Sequence, residues 1–127
     1  MFANNKAFSG FSVNSLERAR EFYGKSLGLA IEEKPGLGIV VRLGGNTPLF
    51  IYEKPNHEPA TYTVLNFRVE NIEKAVDELV ARGIVMERYP SMNQDERGID
   101  RKREGSACPS IAWFKDPAGN ILSVVED

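Results

Sequence analysis

The 127 residues of this chain, 42% hydrophobic and 27% charged, suffice for one globular domain and leave no room for a second. The 16 basic and 18 acidic residues nearly cancel and form no Lys/Arg stripe, so the sequence disfavours nucleic acid as a partner. No export signal is recognisable, and no apolar run approaches the roughly 18 residues of a membrane span. We therefore expect a cytoplasmic protein with no membrane partner, and the lone Cys108 fits a reducing compartment.

The chain contains an internal repeat. The segment FSVNSLERA at 11–19 resembles FRVENIEKA at 67–75, 56 residues further on. In both copies, strand-like alternation of apolar residues changes to helical spacing at the same point. The repeat predicts one supersecondary unit that is used twice.

The first copy begins with a predicted strand that contains Phe11 and Val13. Asn14 or Ser15 can then cap a helix over roughly 15–27, which Gly28 ends. Pro and Gly turns separate the extended segments that follow, at roughly 30–34, 38–43 and 48–53.

The second copy has the same order of elements. Leu65, Phe67 and Val69 predict a strand, Asn71 can cap a helix over roughly 71–82, and Gly83 ends it. Extended segments are predicted at roughly 84–89, 110–115 and 121–126, with a polar insertion at 90–107. Each half is thus predicted as βαβββ, which gives a single α+β domain over 1–127 with modules at approximately 6–53 and 62–126.

Two motifs extend the pattern: AREFY at 19–23 before LGL at 27–29, and WFKDPAGNIL at 113–122. With the paired βαβββ halves, they resemble the vicinal oxygen chelate superfamily of glyoxalases, bleomycin-resistance proteins and dioxygenases. The resemblance covers nearly the whole chain, and Asp-Pro-x-Gly-Asn before a last strand is its most specific motif. It implies a mixed sheet curled around one cup for a small ligand, commonly with a divalent metal, and it implies a homodimer.

The superfamily holds its metal with His, Gln or Glu on the first and last strands of both halves. The resemblance places these positions at Phe8, Phe50, Val64 and Ser123, none of which is such a residue. We therefore predict no metal and no cofactor, which disfavours the superfamily's metal-dependent chemistry. His57, the only histidine, is predicted to be a surface residue of the connection between the halves, with nothing to orient it.

Strand alternation predicts which side chains share the face of these four positions. The predicted ligand-binding residues are Phe8, Ser12, Phe50, Tyr52, Val64, Asn66, Arg68, Trp113 and Ser123. The alternation leaves open whether Trp113 faces the cup or the helices, and whether these side chains bind a ligand or fill the cup as core. Phe50 and Tyr52 are expected to matter more to binding than His57.

Three functions fit these observations. The leading hypothesis is a binding protein for an apolar or aromatic small molecule. The first alternative is an enzyme of the same superfamily, of lyase, isomerase or dioxygenase type, acting metal-free or with atypical metal ligands. In that case the 90–107 insertion is a candidate lid, and Asp95, Glu96 and Tyr52 are candidate catalytic residues, because burial would raise a carboxyl pKa towards that of a base. The second alternative is a structural homodimer without a ligand.

Overall fold

A computed structural model describes the whole chain, residues 1–127, as two units, Met1–Glu58 and Pro59–Asp127. Each unit contains one mixed β-sheet and a helical segment that contacts it. The predicted α+β class with two βαβββ-like modules is therefore confirmed, with one strand missing from the second unit. The curling of the strands around a cup stays a prediction.

The first unit contains four strands. They are β1 (Ser9–Val13), β2 (Ala30–Lys34), β3 (Gly38–Leu43) and β4 (Thr47–Glu53). Their order in the sheet is β1-β4-β3-β2, with β1 parallel to β4 and the other pairs antiparallel. All four predicted extended segments of this half are confirmed.

The helix of the first unit begins where the sequence predicts and then changes its winding. Helix α1 (Leu16–Arg20) starts after Ser15, whose Oγ accepts a hydrogen bond from the Arg18 N–H at 3.3 Å. It continues as a π-helix over Glu21–Ser26, where the Leu27 N–H donates to the Phe22 carbonyl. Both adjacent aromatic residues, Phe22 and Tyr23, are buried in this wider turn.

The second unit contains three strands and one regular helix. They are β5 (Thr63–Arg68), α2 (Ile72–Ala81), β6 (Ser110–Lys115) and β7 (Ile121–Glu126). The sheet order is β5-β7-β6, with β5 parallel to β7 and β6 antiparallel to it. Asn71 caps α2 as predicted, because its Oδ1 accepts a hydrogen bond from the Lys74 N–H at 3.0 Å.

The predicted strand at 84–89 is wrong. Only an isolated bridge from Met86 to Phe114 forms, together with a hydrogen bond from the Glu87 N–H to the Trp113 carbonyl. The Gln94 carboxamide forms hydrogen bonds with two other backbone groups of this segment. Its Nε2 donates to the Glu87 carbonyl at 2.9 Å, and its Oε1 accepts from the Tyr89 N–H at 2.7 Å. A side chain thus satisfies the groups that strand pairing would otherwise satisfy, and Pro90 has no N–H with which to extend a ladder.

The helical side of each sheet forms the core. In the first unit the buried side chains include those of Val13, Tyr23, Ile39, Val41 and Ile51, and in the second unit those of Ile72, Val76, Phe114, Leu122 and Val124. Because side chains alternate along a strand, the residues between these core positions lie on the opposite side of the sheet. That opposite side carries most of the predicted ligand-binding residues. None of the helices has the length and apolar character needed to cross a membrane.

Candidate ligand-binding site

The first sheet has a face directed away from α1, which we call the Phe50 face. Cross-strand partners share a face, and the register pairs Gly10 and Val40 with Phe50, and Ser12 with Tyr52. The residues of this face are Gly10, Ser12, Glu32, Lys34, Val40, Arg42, Phe50 and Tyr52. Three of the predicted site residues are therefore brought together by strand pairing, and Phe8 joins them through its ring.

Aromatic rings form a row on the Phe50 face. Phe8 meets Phe50 edge to face with ring centroids 6.4 Å apart, and Phe50 stacks on Tyr52 at 5.7 Å. The Phe8 side chain is 68% exposed and Tyr52 is 36% exposed, so the row is open to solvent in the chain as it stands. Such a surface supplies the flat apolar area that binds a planar apolar molecule.

His57 lies against this face, contrary to expectation. Its Nδ1 is 2.7 Å from the Ser12 Oγ in a part-buried hydrogen bond. The prediction that nothing orients His57 is therefore wrong. No pattern in the sequence indicates this contact, because 45 residues separate the partners and the loop 54–58 brings them together only in the fold.

A cluster of charged residues that was not predicted from the sequence lies on β2 and β3. Glu32 accepts hydrogen bonds from Lys34 at 2.9 Å and from Arg42 at 2.8 Å. The hydrogen bond from Lys34, followed by the one from Arg42, lowers the pKa of Glu32. The alternation of β2 and β3 could have found these residues, but in this half only the first and last strands entered the prediction.

The second sheet has a corresponding side directed away from Phe114, which we call the Trp113 face. Trp113 pairs directly with Ser123, which pairs with Asn66 on its other side, while the neighbours Ala112 and Phe114 are fully buried on the opposite side. The question that alternation left open is thus answered: Trp113 lies on the side of Ser123. The residues of this face are Thr63, Asn66, Arg68, Ile111, Trp113, Ile121, Ser123 and Val125.

A β-bulge changes the start of β5. Thr63 pairs with Ile121 and Leu65 with Leu122, so Val64 is the extra residue without a partner on β7. The Trp113 Nε1 donates a hydrogen bond to the Thr63 Oγ1 at 3.2 Å. Thr63 therefore takes the position beside Trp113 that regular alternation predicts for Val64.

The remaining predicted residues of this sheet divide into two groups. The Ser123 hydroxyl is fully buried and donates to the Asn66 Oδ1 at 2.6 Å. The Arg68 side chain is 82% exposed and forms an ion pair with Asp127. The buried Ser123 hydroxyl is thus bonded to Asn66, which is itself exposed, and Arg68 extends into solvent.

The residues at the superfamily's metal positions do not fit a metal. Phe8, Phe50 and Val64 carry no lone pair, and the Ser123 hydroxyl is hydrogen-bonded to Asn66. No group of three or more His, Cys, Asp or Glu side chains in the chain is arranged to hold a metal ion. The donor set of this chain therefore does not support the superfamily's metal chemistry.

A cavity of about 300 Å³ opens at one end of the Trp113 face. Its walls are Thr61, Tyr62, Thr63, Tyr89, Ser91, Met92, Trp113 and Ile121. Tyr89 meets Trp113 edge to face at 5.6 Å, and its buried hydroxyl has no hydrogen-bond partner. Burial, and then the charge of Glu87, raise the pKa of Tyr89, so its phenol stays neutral at physiological pH. Of these eight residues, only Trp113 was predicted.

The insertion at 90–107 contributes to this cavity only through its first residues, Ser91 and Met92. Further along, Asp95 binds its own loop, because its Oδ1 accepts from the Arg97 and Ile99 N–H groups and its Oδ2 accepts from Arg101. Arg97 and Arg101 in turn bind Asp77 and Glu73 of α2. These bonds fix the middle of the insertion against the helix.

A carboxylate that acts as a metal-free base needs a raised pKa, whereas the pKa of Asp95 is lowered. Burial alone would raise it, but the hydrogen bonds from the Ile99 N–H, Arg101 and the Arg97 N–H together lower it. Glu96 is exposed, and its backbone carbonyl accepts a hydrogen bond from Arg88. The expectation that burial raises the carboxyl pKa is therefore wrong for Asp95.

A family model of the Glyoxalase/Bleomycin resistance protein/Dioxygenase superfamily matches residues 8–124. The chain therefore belongs to this superfamily, and the predicted resemblance is confirmed. A search of curated proteins found no match.

Several solved structures have the same fold. A Bacillus anthracis protein described as belonging to the glyoxalase family is 24% identical over 100% of this chain and 99% of its own, with a TM-score of 0.71. A superfamily member from Sphaerobacter thermophilus DSM 20745 is 23% identical over 96% of this chain and 97% of its own, with a TM-score of 0.67. TnmS3, an antibiotic binding protein from Streptomyces sp. CB03234, is 22% identical over 97% of both chains, with a TM-score of 0.66. At these identities the likeness shows the fold alone.

Proposed function

We propose that this protein binds apolar or aromatic small molecules on two separate surfaces, the Phe50 face of the first unit and the Trp113 face of the second, and that it does not carry out the superfamily's metal-dependent reactions. The observation that carries the proposal is the row of Phe8, Phe50 and Tyr52, in which the rings of Phe8 and Phe50 are at positions where the resemblance places the superfamily's metal ligands. Large rigid rings provide contact area to a bound apolar molecule at a small entropic cost. TnmS3 offers a precedent on the same fold, since it is an antibiotic binding protein.

The candidate catalytic residues give the enzyme alternative less support than the aromatic row gives the binding function. Asp95 is held as a carboxylate by its own loop, and Tyr52 stacks on Phe50 rather than contacting a group that could accept its proton. The homodimer that the resemblance implies remains a prediction, which sedimentation velocity tests.

A thermal-shift screen against neutral aromatic compounds tests the binding function. A ligand that binds only the native state stabilises it by about 2.7 kcal/mol when its concentration is 100 times the Kd, so a binder raises the Tm measurably. We expect hits among planar aromatic compounds. A screen in which no such compound raises the Tm at millimolar concentration would contradict the proposal.

Metal removal is expected to leave the protein unchanged. Because the superfamily's ligand positions carry no donor set, dialysis against a chelator should not lower the Tm, and added Zn²⁺, Ni²⁺ or Mn²⁺ should not raise it. Elemental analysis of tag-free protein gives the direct measurement. A stoichiometric divalent ion whose removal destabilises the fold would favour the enzyme alternative.

A further inference from the structure

The walls of the cavity at the end of the Trp113 face share one chemical property. None of its eight lining residues carries a charge at neutral pH, and the one with a raised pKa, Tyr89, is neutral. A charged ligand would leave its hydration shell without finding an opposite charge among these residues, and an unpaired buried charge is strongly unfavourable. The cavity therefore selects for a neutral occupant.

One wall of the cavity is held in place before any ligand arrives. The Trp113 indole packs edge to face against Tyr89, and its Nε1 donates to the Thr63 Oγ1. Both contacts fix the plane of the indole, which gives a planar ligand a ready surface and reduces the entropy lost on binding. The lining also contains Tyr62 and Met92, which are 70% and 43% exposed, so a ligand in the cavity can cover part of their apolar surface.

The polar group in contact with this wall is the Thr63 hydroxyl. Its oxygen accepts the indole proton, which leaves the hydroxyl's own proton available as a donor. The Tyr89 hydroxyl does not serve this purpose, because it is buried out of contact with solvent. Thr63 therefore offers a hydrogen-bond donor directly beside Trp113, and the hydroxyls of Thr61, Tyr62 and Ser91 also belong to the lining. The matching ligand carries an acceptor such as a carbonyl oxygen.

We infer that this cavity binds a neutral planar aromatic molecule of one or two rings that carries a hydrogen-bond acceptor, with Trp113 as the stacking surface and Thr63 as the polar anchor. The volume of about 300 Å³ lies at the lower end of the range for ligand pockets and sets the limit of two rings. The inference rests on the proposed function and names the class of ligand for one of its two faces.

The test uses the full chain and three probes of similar size: 1-indanone, which is neutral with an acceptor; indane, which is neutral without one; and indane-1-carboxylate, which is charged. Trp113 is the only tryptophan, so its indole N–H resonance in a ¹H–¹⁵N spectrum reports this cavity alone. We expect 1-indanone to shift this resonance saturably, with a Kd about tenfold below that of indane, the scale of one net hydrogen bond. The carboxylate should not shift it.

Thr63→Val should weaken 1-indanone more than it weakens indane, so that the roughly tenfold difference between the two Kd values disappears. The Kd of indane in the same variant measures what the loss of the Trp113–Thr63 hydrogen bond alone costs. Thr63→Ser, which keeps the hydroxyl, should restore the affinity for the ketone. Thr47→Val is the matched control: it makes the same substitution at an exposed strand position outside the cavity, so it should leave both affinities and the Tm unchanged.

Three results would overturn the inference: no saturable shift of the Trp113 resonance with 1-indanone, binding of the carboxylate as tightly as the ketone, or an unchanged ketone affinity in Thr63→Val. These are distinguishable from failure of the proposed function. Shifts of the Phe50 and Tyr52 amides without any at Trp113 would leave that function standing and remove this site, whereas no shift on either face would remove both.

Discussion

Replacing Asp116 with Ala is expected to lower the free energy of unfolding by about 2–4 kcal/mol. The Asp116 carboxylate is 4% exposed, and its Oδ1 accepts hydrogen bonds at 2.9 Å from the N–H groups of Ala118 and Asn120. Its Oδ2 accepts a third, from the Asn120 side chain. Truncation therefore leaves several buried donors unsatisfied in the turn that joins β6 to β7, the central strand of its sheet.

Urea denaturation followed by Trp113 fluorescence measures this effect, because the only tryptophan lies in the same unit as the turn. Asp116→Asn retains an acceptor oxygen and should be less destabilising. Asp127→Ala removes an exposed carboxylate paired with exposed Arg68 and should change stability by less than about 0.5 kcal/mol. A midpoint for Asp116→Ala equal to that of Asp127→Ala would show that the turn does not depend on these bonds.

Replacing Phe50 with Ala is expected to weaken the binding of an aromatic ligand to the Phe50 face by about 1–3 kcal/mol. Phe50 lies in the middle of the aromatic row, in contact with both Phe8 and Tyr52, so its loss removes contact area and also frees its two neighbours. Calorimetry with the strongest compound from the thermal-shift screen measures the change. Phe2→Ala is the matched control, since Phe2 is 74% exposed and outside the row.

His57→Ala should affect binding less than Phe50→Ala. The hydrogen bond to Ser12 places His57 beside the aromatic row. A ligand that depends on His57 would lose about 1 kcal/mol of binding free energy at most, the scale of one such hydrogen bond. A larger loss in His57→Ala than in Phe50→Ala would place the ligand beside the loop 54–58 and contradict the assignment to the aromatic row.

Which residues of the candidate site share a face was predictable from the sequence wherever the strands pair regularly. Alternation places Ser12, Phe50 and Tyr52 on one face and Asn66 and Ser123 on another, and register pairing in the fold confirms both groups. Regular pairing is interrupted at Val64, which is an extra residue without a partner on β7, and the neighbouring Thr63 contacts Trp113. Nothing in the letters at 63–65 signals this β-bulge.

The sequence by itself determined the superfamily, the first module's order of elements and the cap at Asn71, because these depend on short-range periodicity and on side chains that bind their own helix. Tertiary structure alone decided the contact of His57 with Ser12, the side on which Trp113 lies, and the replacement of a strand at 84–89 by the Gln94 side chain. Each of these features depends on a partner outside the residue's own element, and the free energy at stake is on the scale of a single hydrogen bond. Local propensity carries no information about such partners, so only the folded chain could reveal them.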